Sequence, residues 1–197
     1  MSQANPRSYR TSELIPVLKE TLWLIQSGIV RTTTYTMQGK VTALGYWGKD
    51  NTVGHPLNTV ETLQIECLTD VQVVPIFRDE WSLHLPAILH HSEQTTRLMS
   101  YVIQEHIAQR LVNVLGWLGS RFGVSVNSGL LIDLPLSHAA LAELIGSTRV
   151  SVTRLLGKLA VEGAVFQHRK QRILLLKDLS SLDIVSITCP LNPHRKA

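Results

Sequence analysis

The arrangement of apolar and polar positions divides the chain into a β-patterned first part and a largely helical remainder. Between residues 13 and 80, runs rich in Val, Ile and Thr cover Leu22–Ile25, Gly28–Thr36, Val41–Trp47, Leu63–Cys67 and Val71–Phe77. Short runs punctuated by glycines predict antiparallel strands, with Met37-Gln38-Gly39-Lys40 as a turn between two of them. Pro75 has no amide proton and predicts an edge or a bulge in the last strand. Residues 1–12 lack any such pattern and read as a flexible tail. From 93 to 121 the period changes. Met99, Ile103, Ile107, Leu111, Val114 and Leu118 recur at spacings of three and four, which predicts a long helix. A second stripe runs beside the first: Leu98, Val102, Ala108, Val112 and Leu115. A helix that is apolar on two sides needs two covers. One is its own β domain, and the other is the same helix of a second copy, packed as a coiled coil. The second stripe is therefore the candidate dimerisation surface of a homodimer; the alternative is a central helix buried within one chain.

Further on, Leu134 to Leu159 predicts two short helices joined by a tight turn. Ser137 has a hydroxyl suited to cap the first helix, and Leu141, Leu144 and Ile145 form its buried face. Gly146 supplies the turn, where a left-handed backbone costs glycine little. Thr148 caps the second helix, whose inner face is Val152, Leu155, Leu156 and Leu159. Arg149, Val150, Ser151, Thr153 and Arg154 then fall on or near its outer N-terminal edge, the part of a helix-turn-helix that reaches base edges in DNA. Val165-Phe166-Gln167 and Arg172 to Leu176 read as two strands joined by the basic turn His168-Arg169-Lys170-Gln171, a wing with cations at its tip. An ordinary helical hairpin with solvated arginines is the competing reading of the helix pair.

Residues 137–177 resemble the C-terminal domain of the CRP/FNR superfamily of bacterial transcription regulators. The run Ile145-Gly146-Ser147-Thr148-Arg149-Val150-Ser151-Val152-Thr153-Arg154-Leu155-Leu156-Gly157 is especially similar to the cyanobacterial global nitrogen regulator branch. So are Arg110-Leu111-Val112 through Arg121-Phe122-Gly123-Val124 and the pieces Ile132-Asp133-Leu134 and Leu136-Ser137-His138. The resemblance implies an α+β chain: a short antiparallel β-barrel of jelly-roll, cyclic-nucleotide-binding-like type over 1–92, with its first strands trimmed; a long dimerisation helix over 93–122; and a winged helix-turn-helix DNA-binding domain over 123–197. It also implies double-stranded DNA, a second copy of the chain and RNA polymerase as partners, with two recognition helices about 34 Å apart on a palindrome. In the barrel the chain departs from the family. Where cyclic-nucleotide receptors hold the phosphate with Gly-Glu and Arg-Ser pairs, this sequence has Gly54-His55 and about Glu61-Thr62. A carboxylate at an anion site repels, so a cyclic nucleotide is not the expected effector, and the sequence names no other. The nitrogen-regulator branch binds 2-oxoglutarate with a cation near positions 103–106, where this chain has Ile103, Gln104, Glu105 and His106.

Charge placement supports the nucleic-acid reading. The 197-residue chain has a formal net charge of +4. From Ser137 onward, nine Lys/Arg face four Asp/Glu, whereas the rest holds ten against eleven. A basic surface confined to one region is the footprint expected of a DNA reader. Within that surface, Arg149 suits a bidentate contact to guanine, and Val150 suits a thymine methyl, which predicts a GTA-type half-site. Thr153 and Arg154 complete the base-reading set. Ser137, Ser147, Ser151, Arg169 and Lys170 are expected to contact phosphates.

The two cysteines, Cys67 and Cys189, are too few for a disulfide framework or an iron–sulfur cluster and are expected to be reduced. No apolar run approaches the roughly 20 residues needed to span a bilayer, and the first residues lack the apolar core of a signal peptide, so a cytoplasmic location is expected. The eight histidines show no helical ligand spacing with a nearby carboxylate, so no metal and no cofactor is expected. No nucleophile elbow or phosphate-cradling loop occurs, and the expected protein is not an enzyme. The alternative function is a small-molecule-sensing or protein-interaction module with a vestigial DNA-binding domain.

Overall fold

The computed structural model of the protein describes residues 5–168, 171–176 and 179. The chain forms two compact units, residues 1–98 and 99–197. The first contains β1 (Arg7–Tyr9), β2 (Thr21–Ser27), β3 (Val30–Tyr35), β4 (Val41–Trp47), β5 (Thr52–Val53), β6 (Gln64–Cys67) and β7 (Val71–Phe77). They make two antiparallel sheets, ordered β1-β7-β2-β5 and β4-β3-β6. Their inward residues, among them Trp23, Ile25, Val30, Trp47, Val53, Ile65 and Val73, form one apolar core. The two indoles of this core each find an acceptor: Trp23 Nε1 donates to the Pro16 carbonyl and Trp47 Nε1 to Thr32 Oγ1, both at 2.9 Å. Residues 7–9, expected within a flexible tail, instead pair with β7, Arg7 opposite Val73. The exposed edge of β7 supplies the ladder, a constraint that three residues cannot announce by themselves. Pro75 lies beyond the stretch of β7 that β1 covers, as an edge position should.

A 3-10 segment over Arg78–His84 leads into α1 (Leu85–Val102). Buried His91 ties this helix to the barrel: its ring stacks on Trp47 with centroids 4.0 Å apart, and Nδ1 lies 2.8 Å from the Thr52 carbonyl oxygen. A carbonyl only accepts, so Nδ1 holds the proton. The expected single helix over 93–121 is two, because the chain leaves α1 at 103–106 before α2 (Ile107–Phe122) begins. Side chains take over the carbonyls that a helix end leaves open. Gln104 Nε2 donates to the Ser100 carbonyl oxygen at 2.9 Å, and Arg110 Nε donates to that of Gln104. The apolar period runs through this break undisturbed, so periodicity alone could not locate it.

The second unit continues with β8 (Gly123–Val126), β9 (Gly129–Ile132), α3 (His138–Ile145), α4 (Arg149–Val161), β10 (Val165–His168) and β11 (Arg172–Leu175). The four strands form one antiparallel sheet, ordered β10-β11-β9-β8. Strand β8 pairs with β9 from Gly123 opposite Ile132 to Val126 opposite Gly129. Gly129 is required there: its φ is +147, and a Cβ would collide with the Leu175 carbonyl oxygen. Helix α2 packs on β8, β9 and α3. This corrects the expected dimer stripe. Leu98, Ala108, Val112 and Leu115 are buried by the chain itself, and Val102 is half-buried. Beyond Ile107, which is 37% exposed at the helix start, the apolar residues of both stripes on α2 face inward because sheet and helix-turn-helix cover them together. On α1, by contrast, Leu85, Leu89 and Met99 are exposed. Among the described residues, no helix is long and apolar enough to cross a membrane.

Two measurements check this packing. Leu118 is fully buried, so Leu118→Ala should destabilise the protein by about 2–5 kcal/mol in urea unfolding. Burial, helped by the charges of Glu13, Glu66 and Asp70, pushes the Cys67 thiol up to about 11 from 9.0. Between those values the unfolded chain loses the thiol proton while the folded chain keeps it, so stability falls as pH rises from 9 to 11. In a Cys189→Ser chain at pH 8, iodoacetamide should therefore label the native protein at least about a hundredfold more slowly than the protein in urea.

Candidate nucleic-acid interface

The interface is built from two helix starts and a turn, each set by local chemistry. Ser137 Oγ accepts from the Ala140 amide at 3.0 Å and caps α3. Gly146 then turns the chain at φ 64, ψ 45, and the Ser147 amide donates to the Ala142 carbonyl oxygen at 2.9 Å. Space does not demand glycine here, since the nearest neighbour of a Cβ at this position would be Arg110 Nη1 at 3.9 Å; the left-handed backbone does. Thr148 Oγ1 accepts from the Ser151 amide at 3.1 Å and donates to Ser151 Oγ at 3.0 Å, capping α4.

With the start of α4 pinned, its two faces separate. Val152, Leu155, Leu156 and Leu159 are buried. Arg149, Val150, Thr153 and Arg154 are exposed, Val150 by 78%. The structure thus brings the four expected base-reading residues to one solvent-facing edge, at the helix end whose free amides and dipole favour an anion. Ser137 and Ser151 each accept a bond in the caps and keep a hydroxyl proton to donate outward. Ser147 differs from expectation. At 9% exposure it is buried in the turn, which leaves its hydroxyl little access to a phosphate. Arg169 and Lys170 lie outside the described residues.

Four residues join the interface that were not singled out as site residues: His138, Gln167, Gln171 and Arg172. A recess of about 430 Å³ between the helix pair and the wing is lined by His138, Arg149, Gln167, Gln171 and Arg172. Arg172 is held by Asp133 at 2.7 Å, so part of its charge is already answered. Gln171 takes a left-handed conformation, φ 60, and its carbonyl oxygen accepts from the Leu136 amide at 2.9 Å, fastening the wing to the start of α3. His138 contacts Thr153 across the helix pair, Nδ1 to Oγ1 at 2.8 Å. The signal for His138 and Gln171 lies in contacts across the fold; their own neighbourhoods in the sequence do not reveal it.

In the barrel, Gly54 has φ 150, and a Cβ there would lie 2.7 Å from the Thr21 carbonyl oxygen. Glu61 is exposed, and Thr62 Oγ1 is engaged with the Tyr35 amide at 3.0 Å and with Thr34 Oγ1 at 2.9 Å. This corner therefore presents an acidic side chain to solvent and turns its hydroxyl toward β3.

Comparison with known proteins agrees with the geometry. Residues 109–183 match the Crp-like helix-turn-helix domain family. The chain is 37% identical over 167 residues to the regulatory protein CysR of Synechococcus elongatus, covering 83% of this chain and 80% of that protein. It is 45% identical over 78 residues to the global nitrogen regulator of a Nostoc species, covering 40% of this chain and 35% of that protein. The fold is similar to that of a CRP-family transcriptional regulator from Thermus thermophilus, with a TM-score of 0.74 at 17% identity over 88% of this chain and 93% of that one. The capped helix pair with its wing, the antiparallel sheets that precede it and a relative spanning most of the chain agree on one assignment: the protein belongs to the CRP/FNR superfamily of DNA-binding transcription regulators.

Proposed function

We propose that the chain acts in the cytoplasm as a homodimer that binds a palindromic GTA…TAC-like DNA site, with RNA polymerase as its protein partner and no catalytic step of its own. The observation that carries this reading is the exposed edge of α4, where Arg149, Val150, Thr153 and Arg154 stand on a helix whose opposite face is buried. Arg149 donates to O6 and N7 of the guanine in each half-site, and Val150 packs on the adjacent thymine methyl. Arg154 reaches a second base or a phosphate. Ser137 and Ser151, with Arg169 and Lys170 of the wing, hold the phosphate backbone and set the register.

The second copy docks on α1. Leu85, Leu89 and Met99 are 50%, 60% and 61% exposed and return to one side of the helix at heptad-like spacing, whereas beyond Ile107 the apolar stripes of α2 are already covered. A cyclic nucleotide is not the effector in this reading: Glu61 is an exposed carboxylate where an anion would have to be gripped.

Anisotropy titrations at two salt concentrations test the assignment. Affinity for the palindrome should fall steeply with salt and exceed that for random DNA. Arg149→Ala should cost about 1–3 kcal/mol on the palindrome and relax the choice at the guanine; an equal loss on random DNA would reject base reading. In sedimentation, Leu89→Arg should shift the protein from dimer to monomer and weaken binding to the palindrome more than to a single half-site. A variant that stays dimeric would move the interface elsewhere.

A further inference from the structure

The hydroxyl of Thr153 is held from two sides. Oγ1 lies 2.9 Å from the Arg149 carbonyl oxygen, one turn back along α4, and 2.8 Å from Nδ1 of His138 at the start of α3. A carbonyl only accepts, so the hydroxyl donates to Arg149, and His138 Nδ1–H donates to the hydroxyl. The one hydroxyl proton is thereby committed, and one lone pair is occupied. A hydroxyl with no proton to give cannot bond the acceptor O4 of thymine, so what Thr153 offers that base is its Cγ2 methyl. Val150, also exposed and also branched, stands three residues earlier on the same side of the helix. Both lie between Arg149 and Arg154 in sequence, away from the buried face formed by Val152, Leu155, Leu156 and Leu159.

We propose that the Thr153 methyl, oriented by His138, joins Val150 in an apolar strip that reads thymine 5-methyl groups, so that Thr153 selects its base by shape and not by a hydrogen bond. The inference rests on α4 being the base-contacting helix. In the major groove, thymine differs from cytosine by its methyl as well as by its polar edge. A freely turning hydroxyl can donate to or accept from many base edges; committing its proton removes the bonds it could donate to O4, O6 or N7 and leaves the methyl as its contact with thymine, which favours that base. His138 is a positioning residue here, because it acts through Thr153.

The test uses the full chain and two duplexes, the GTA…TAC site and the same site with its thymines replaced by deoxyuracil, which removes only the methyl groups. The wild-type protein should bind the deoxyuracil duplex more weakly, by about fourfold for each thymine methyl that the strip touches. Thr153→Val should retain this preference for thymine, whereas Thr153→Ser, which keeps the hydroxyl and lacks the methyl, should reduce it by about fourfold for each thymine that Thr153 reads. His138→Ala should lower the preference by releasing the hydroxyl, and His138→Asn, whose Nδ2 falls near the place of Nδ1, should restore it. A merely structural role for His138 would weaken both duplexes alike and leave their ratio unchanged. The proposal is overturned if Thr153→Ser keeps the wild-type ratio or Thr153→Val loses it. If the wild-type protein binds the thymine site no better than random DNA, base reading by α4 fails as a whole, and this inference with it.

Discussion

The edge of α4 faces solvent only because its other side cannot. Val152, Leu155, Leu156 and Leu159 are sealed inside the second unit, and a helix of 13 residues with four buried side chains on one face has no freedom to roll. Isolated helices of this length are marginal in water, so packing and the cap at Thr148 hold the helix in shape. The left-handed turn at Gly146 then fixes where α4 begins relative to α3. A substitution there that adds a Cβ meets no closer neighbour than Arg110 Nη1 at 3.9 Å but a strained backbone. Base reading therefore depends on a conformational constraint one turn away from any residue that would touch DNA.

Around that constraint, polar side chains divide into two kinds. Ser137 and Thr148 close helix starts, and Gln171 fastens the wing through its backbone. Arg149 and Arg154 remain exposed. Arg172 lies between the two kinds, since Asp133 shares its charge while it still lines the recess beside Arg149. The same separation explains the barrel. Its polar groups serve the fold: Thr32 accepts from Trp47, His91 joins α1 to β5, and Thr62 binds β3. The two tryptophans and their apolar neighbours fill the core between the sheets.

The parts that were legible in the sequence are those specified by neighbouring residues. Ser137, Gly146 and Thr148 announce caps and turn by their own chemistry, and the largely apolar runs at 22–25, 41–47 and 71–77, bounded by polar residues and glycines, show as strands. The parts that were not legible depend on residues far apart in the chain. The Arg7–Tyr9 strand exists because β7 offers an edge. The interruption at 103–106 contains no glycine or proline and interrupts no apolar period; it depends on the side chains of Gln104 and Arg110. Periodicity showed that α2 has two apolar sides, but it could not say that β8, β9 and α3 would cover them and leave the exposed leucines on α1. The bond between His138 and Thr153 spans fifteen residues and has no local signature.

In the proposed complex, Arg149 meets the major-groove edge of a guanine in each half-site. Dimethyl sulfate interference on a GTA…TAC duplex tests this contact most directly, because methylation at guanine N7 blocks one of the two acceptors that a guanidinium needs. Duplexes methylated at those guanines should be excluded from the bound fraction, and the exclusion should disappear in Arg149→Ala. Guanine-methylated duplexes bound as readily as unmodified ones by the wild-type protein would contradict the contact.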